Sequence, residues 1–177
     1  LAIFLNPELA ARGCETGIAP EHVIGVSTLL ADREGRLHKD HLLVRNEPRY
    51  AGMNAEYLSG LRLTARLNFP APTYSGKVAC ILDLIGQQPY LAAGDSPGDL
   101  PMLAWSENRL WIARLEKPAY QREMAALAER VAGGPWLVQP ALCGDATGFV
   151  ADIAGAGTSA SPGDPIAASL AALRNRL

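Results

Sequence analysis

Two aspartates four residues apart, Asp95 and Asp99, lie in the run Ala92-Ala93-Gly94-Asp95-Ser96-Pro97-Gly98-Asp99-Leu100-Pro101-Met102-Leu103, where an apolar stretch breaks at a glycine. Carboxylates at the end of a strand suit a hard cation. Magnesium takes oxygen ligands in a tight octahedron and is usually held by one or two carboxylates, with phosphate oxygens and water completing the shell. Open α/β sheets put such sites at strand ends. A single lysine, Lys77, stands at the start of an expected helix in Pro72-Thr73-Tyr74-Ser75-Gly76-Lys77-Val78-Ala79-Cys80-Ile81. Together these groups point to phosphate chemistry. Transfer of a phosphoryl group spreads negative charge over its equatorial oxygens, so catalysis consists largely of positioning and neutralising that charge. Each residue also has a plainer reading. Paired aspartates at a helix N-terminus interact with the macrodipole, an isolated lysine is most often a solvated surface group, and Ser96 suits a turn as well as a ligand's surroundings.

The two runs resemble the third and fourth motifs of the haloacid dehalogenase superfamily, in its phosphoserine- and phosphocholine-phosphatase-like branch, where a lysine precedes a Gly-Asp-Ser-x-Gly-Asp-Leu-Pro-Met-Leu run. The resemblance covers roughly residues 7–115, with Gly17-Ile18-Ala19-Pro20-Glu21-His22-Val23-Ile24-Gly25-Val26 resembling the segment that follows the second motif. It implies a Rossmann-like parallel sheet flanked by helices and a magnesium-dependent phosphomonoesterase acting on a small phosphorylated metabolite through an aspartyl-phosphate, which splits hydrolysis into two easier steps. By the same resemblance Asp95 binds the metal, Asp99 supports the site through the metal's water shell, and Lys77 bridges the nucleophile and the phosphoryl group. Asn6 falls near the place of the family's phosphate-binding Ser or Thr, although its neighbours Phe4 and Leu5 carry no hydroxyl. Specificity is implied to lie between the second and third motifs, where residues 37–70 include Arg45, Arg49, Tyr50 and Tyr57.

The family's first motif, an apolar strand ending in Asp-x-Asp, occurs nowhere in the sequence. The chain is therefore expected to be the C-terminal part of a larger phosphatase and, by itself, not to turn over phosphate esters. The competing reading is a non-catalytic binding or regulatory module that keeps the same fold. A parallel sheet lacking its first strand has an open edge that can pair with another chain, which makes a homodimer an admissible assembly.

The 177 residues, 49% of them hydrophobic, suffice for one sizeable core. A net charge of -2 with no basic stripe argues against a nucleic-acid partner. No apolar run approaches the roughly 18 to 20 residues that span a bilayer. Cys14, Cys80 and Cys143 are odd in number and far apart, which predicts core thiols in a reducing cytoplasm and no disulfide framework.

The pattern along the chain is strand alternating with helix. Strands are expected at residues 1–5, 23–30, 90–93 and 110–115, with 135–140 as an edge strand because prolines flank it. Helices are expected at 7–16, closed by Gly17; around 54–58; at 75–85, where Val78, Ile81, Leu82 and Ile85 repeat at helical spacing before Gly86; at 100–105; and at 119–131. Residues 1–150 form the expected core. In 151–177, a Gly/Ala/Ser/Thr/Pro-rich linker over 154–165 precedes a helix at 166–177 that either docks through Ile166, Leu170 and Leu173 or frays. Ser27 and Thr28 read as structural. His38 and His41, near Asp40, read as a solvated polar loop; His22 lacks ligand spacing; Trp105, Trp111 and Trp136 read as core; and Gly144-Asp145-Ala146-Thr147-Gly148 has only the flavour of a phosphate loop.

Overall fold

A computed structural model describes residues 2–18, 22–38, 56, 59–143, 147–151 and 163–177. The chain is α/β and forms two compact units, Leu1–Pro72 and Thr73–Leu177. The helix expected at 54–58, the segment holding Arg45, Arg49, Tyr50 and Tyr57, His41 with Asp40, the Gly144-Asp145-Ala146 stretch and most of the 154–165 linker lie outside the described residues.

The first unit begins with a helix, α1 (Ala2–Ala11), where the sequence suggests a strand at 1–5. A short apolar run does not by its periodicity distinguish a buried strand from a helical segment, and Leu, Ala and Glu are good helix formers. Pro7 is inside α1 and not at its first turn. Gly13, at φ 83°, closes the helix four residues before the expected Gly17, and the Cys14 N–H reaches the Leu9 carbonyl at 2.8 Å. Three strands follow, β1 (Thr28–Ala31), β2 (Leu37–His38) and β3 (Arg62–Leu67), in an antiparallel sheet of order β2-β1-β3. The strand expected over 23–30 thus forms only from Thr28. The β1–β2 turn is organised by Asp32, whose carboxylate accepts from His38 Nε2 at 2.9 Å, from Arg36 Nε at 2.7 Å and from the Arg36 N–H at 2.8 Å. These bonds hold the Asp32 carboxyl well below the usual range, that from His38 most of all. His38 is therefore a hydrogen-bonded hairpin residue with a side chain only 10% exposed, and not part of a solvated loop.

The second unit carries the parallel sheet. Its strands β4 (Leu91–Gly94), β5 (Asn108–Arg114), β6 (Trp136–Leu142) and β7 (Gly148–Phe149) are ordered β4-β5-β6-β7. The first three run parallel, and β7 is antiparallel to β6. β6 as a whole lies between β5 and β7, but its 136–140 stretch, within the edge strand expected at 135–140, has a partner strand on one side only among the described residues. Over Trp136–Pro140 it pairs only with β5, and β7 adds its ladder just beyond, at Ala141 and Leu142, so the missing N–H of Pro140 breaks no bond to β7.

Helices α2 (Ser75–Leu84), α3 (Leu100–Trp105), α4 (Pro118–Ala128) and α5 (Pro165–Leu173) accompany this sheet. Trp111, Ala113, Leu103, Met124, Leu115 and Leu173 are fully buried and form the core. Trp111 donates its indole N–H to Gln121 Oε1 at 2.6 Å, and Gln121 Nε2 donates to the carbonyls of Arg114 and Lys117, so α4 is pinned to the end of β5. The terminal helix docks. Leu173 is buried, Ile166 and Leu170 pack against the core, and Ser169 Oγ donates to the Leu115 carbonyl at 2.6 Å. Burying one such leucine contributes about 1.5–3 kcal/mol. Of the thiols only Cys80 is buried; Cys14 and Cys143 are exposed, against the expectation of three core thiols. Among the described residues no helix is long and apolar enough to cross a membrane.

Candidate functional site

The parallel strands deliver their C-terminal ends to one edge, where Asp95, Ser96, Asp99 and Lys77 gather. β4 ends at Gly94, opposite Trp111 of β5. Asp95 and Ser96 turn the chain into a single 3-10 turn, Pro97–Asp99, which runs directly into α3. Asp99 is buried and its carboxylate holds the turn together: Oδ2 accepts from the Ser96 hydroxyl at 2.8 Å, the Ser96 N–H at 3.1 Å and the Asp95 N–H at 3.2 Å. Its other oxygen, Oδ1, accepts a short charge-assisted bond from Lys77 Nζ, which reaches in from the first turn of α2. Lys77 and Asp99 are 22 residues apart in sequence, so only the fold joins them. Burial pushes the Asp99 carboxyl up, but the bonds from Lys77 and Ser96 outweigh it and hold the group below its ordinary value. Ser96 therefore serves the turn.

Two backbone features make this arrangement. Gly94 has no room for a side chain, since a Cβ there would stand 2.8 Å from Asp99 Cγ and closer still to its Cβ. Gly94→Ala will therefore push Asp99 away from Lys77 and lower the melting stability of this unit by about 1–3 kcal/mol. An unchanged thermal midpoint would show that Asp99 can shift freely. At the entry to α2, Tyr74 adopts φ 46°, a region rarely used by residues with a side chain, and the helix it opens carries Lys77 three residues on.

Asp95 differs from Asp99. Its carboxylate is 50% exposed and faces an ion pair with Arg114 Nη1 at 3.5 Å. Arg114, the last residue of β5, did not emerge from the sequence reading. The signal available was a basic residue closing the apolar run Leu110-Trp111-Ile112-Ala113, but its place beside Asp95 depends on the β4–β5 register. No protein-family model and no curated protein matches the chain.

Asn6 is not at a strand end. It lies in α1, within the other unit, where Nδ2 donates to the Ile18 carbonyl at 3.0 Å and Oδ1 accepts from the Ile18 N–H at 2.8 Å. Its amide closes the 7–18 segment, and the strand that suggested a phosphate role for it is absent.

The donor set defines what cation the edge can take. Asp99 is occupied by Lys77, the Ser96 hydroxyl and two backbone N–H groups, so of the two aspartates Asp95 is the one with open lone pairs. Among the described residues no group of three or more His, Cys, Asp or Glu is gathered for a metal. One accessible carboxylate fits magnesium, which keeps several waters and borrows phosphate oxygens. It does not fit a metal that needs a cage of protein ligands.

A groove of about 340 Å³ runs beside the same strand, lined by Ile81, Ile85, Leu91, Ala93 and Met102 among others. Among the described residues β4 pairs on one side only, with β5, so its other edge is open.

Proposed function

We propose that this chain carries the lysine and the metal carboxylate of a magnesium-dependent phosphomonoester hydrolase of the haloacid dehalogenase type, acting on a small phosphorylated metabolite. The observation that supports this reading best is the Lys77–Asp99 pair at the C-terminal edge of the parallel strands, with the open carboxylate of Asp95 beside it. Asp99 holds the Lys77 ammonium at that edge. Lys77 has two further N–H donors to offer the phosphoryl oxygens, and its charge offsets theirs as the ester bond breaks. Asp95, through the magnesium it would hold with water and substrate oxygens, would supply the remaining neutralisation.

In this scheme a carboxylate attacks phosphorus, the alcohol leaves, and water then cleaves the aspartyl-phosphate to inorganic phosphate. No Asp-x-Asp is present in the sequence to supply that nucleophile. The scheme assigns it to a further strand added at the open edge of β4, whose end would reach the same crevice as Asp95. The missing nucleophile equally favours the second reading, a non-catalytic module that binds magnesium and phosphate without turnover.

Hydrolysis of a generic phosphomonoester by the native protein purified from its source separates the two. The enzyme reading predicts magnesium-dependent turnover that falls about 100-fold or more in Lys77→Ala, in the range of losing a transition-state charge contact. Turnover indifferent to both magnesium and Lys77 would contradict it, and magnesium and phosphate binding without turnover would favour the module.

A further inference from the structure

Among the described residues, the Arg114 side chain, at the end of β5, makes one long contact at the strand ends. Its Nη1 is 3.5 Å from Asp95 Oδ2, longer than the roughly 2.7–2.9 Å of a good charge-assisted hydrogen bond. Its Nε is buried and, among the described residues, has no acceptor. A guanidinium presents five N–H donors in a planar fork that matches phosphate oxygens, which a lysine ammonium does not. The side chain is 30% exposed, open enough to turn toward a ligand at the same edge.

We propose that Arg114 is a phosphate-binding residue of this site and that, until an anion arrives, it competes with the divalent cation for the Asp95 carboxylate. The inference rests on the phosphatase reading and extends it. A cation at Asp95 frees the guanidinium for the phosphoryl group, and a phosphoryl group drawing Arg114 away frees Asp95 for the cation. Each ligand thereby improves the other's binding, and by linkage the two effects are equal. The site then favours a substrate that arrives with its metal over either alone.

Titration calorimetry on the full chain at low ionic strength tests this, with magnesium chloride and inorganic phosphate added separately to the wild type, Arg114→Gln, Arg114→Lys and Asp95→Asn. Arg114→Gln is expected to bind magnesium about two- to fivefold more tightly, the size of an exposed ion pair removed. It is expected to bind phosphate about tenfold more weakly or worse, as a charge-assisted contact is lost. Arg114→Lys keeps the charge but not the fork, so its magnesium affinity stays near that of the wild type while phosphate weakens. That variant carries the test alone if Arg114→Gln does not fold. Unchanged affinities in both Arg114 variants, with magnesium binding still lost in Asp95→Asn, would overturn the role of Arg114 and leave the phosphatase reading standing. A wild-type chain that binds neither ion would overturn both.

Discussion

Lys77→Met is expected to destabilise the Thr73–Leu177 unit by about 2 kcal/mol at neutral pH, with a deficit that shrinks as the solution is acidified. Removing one partner from a fully buried ion pair costs about 3–5 kcal/mol, because the other charge is left stranded. Here the Lys77 side chain is 31% exposed and that of Asp99 8%, so water reaches the pair and the smaller figure applies. The pH dependence follows from Asp99. Burial raises its carboxyl, but the Lys77 and Ser96 hydrogen bonds prevail and hold it below the ordinary value. In the wild type its stabilisation is present above the unfolded pKa of about 3.9 and is lost as pH falls below that. Without Lys77 the burial effect gains the upper hand and the carboxyl rises. The variant then regains stability on acidification, when the stranded group takes up its proton. All three tryptophans lie in this unit, so their fluorescence in urea reports the change directly. Equal deficits at pH 7 and pH 4 would contradict the assignment of Lys77 as the counter-ion of Asp99.

Asp95→Asn is expected to do the opposite: to leave folding alone and remove the metal. The side chain is half-exposed and its ion pair with Arg114 is long, so the change in stability should stay within about 0.5 kcal/mol. Of the two aspartates its carboxylate is the one with lone pairs to spare, and on the proposed reading replacing it with an amide should weaken magnesium binding at least about tenfold, as loss of an anionic ligand of a hard cation demands. Neither form of the chain alone should hydrolyse phosphate esters. Magnesium-dependent hydrolysis by the purified wild type, lost in Asp95→Asn, would place a nucleophile within these residues.

The local framework of the edge was legible because its signals are local. Val78, Ile81, Leu82 and Ile85 at helical spacing, closed by Gly86, mark α2 to within a residue, and Gly86 takes the positive φ of 78° that a helix end of this kind favours. The spacing places the helix and not its buried face: Leu82 and Ile85 are more than half exposed, while Cys80 and Leu84 are buried. Helix α3 after the Asp-Ser-Pro-Gly-Asp turn was equally readable, since prolines and glycines set its start. Different roles for the two aspartates came only from the family resemblance. Spacing alone makes Asp95 and Asp99 equivalent, and only the folded turn puts one against Lys77 and leaves the other open. Arg114 was hidden for a similar reason, because its nearness to Asp95 is a matter of strand register. At the N-terminus a five-residue apolar run carries no period, and the strand expected there is a helix. Pro140 marked an edge, and the stretch up to it does pair on one side only among the described residues, because β7 joins the ladder one residue beyond it.

Amide chemical shifts of the labelled chain, titrated first with magnesium and then with inorganic phosphate, test the central claim most directly. Shifts concentrated at Asp95, Ser96, Gly98, Asp99 and Lys77, with phosphate effects that grow in the presence of magnesium, are the predicted result. Shifts scattered elsewhere, or none at millimolar concentrations of both ions, would contradict a metal and phosphate site at the end of β4.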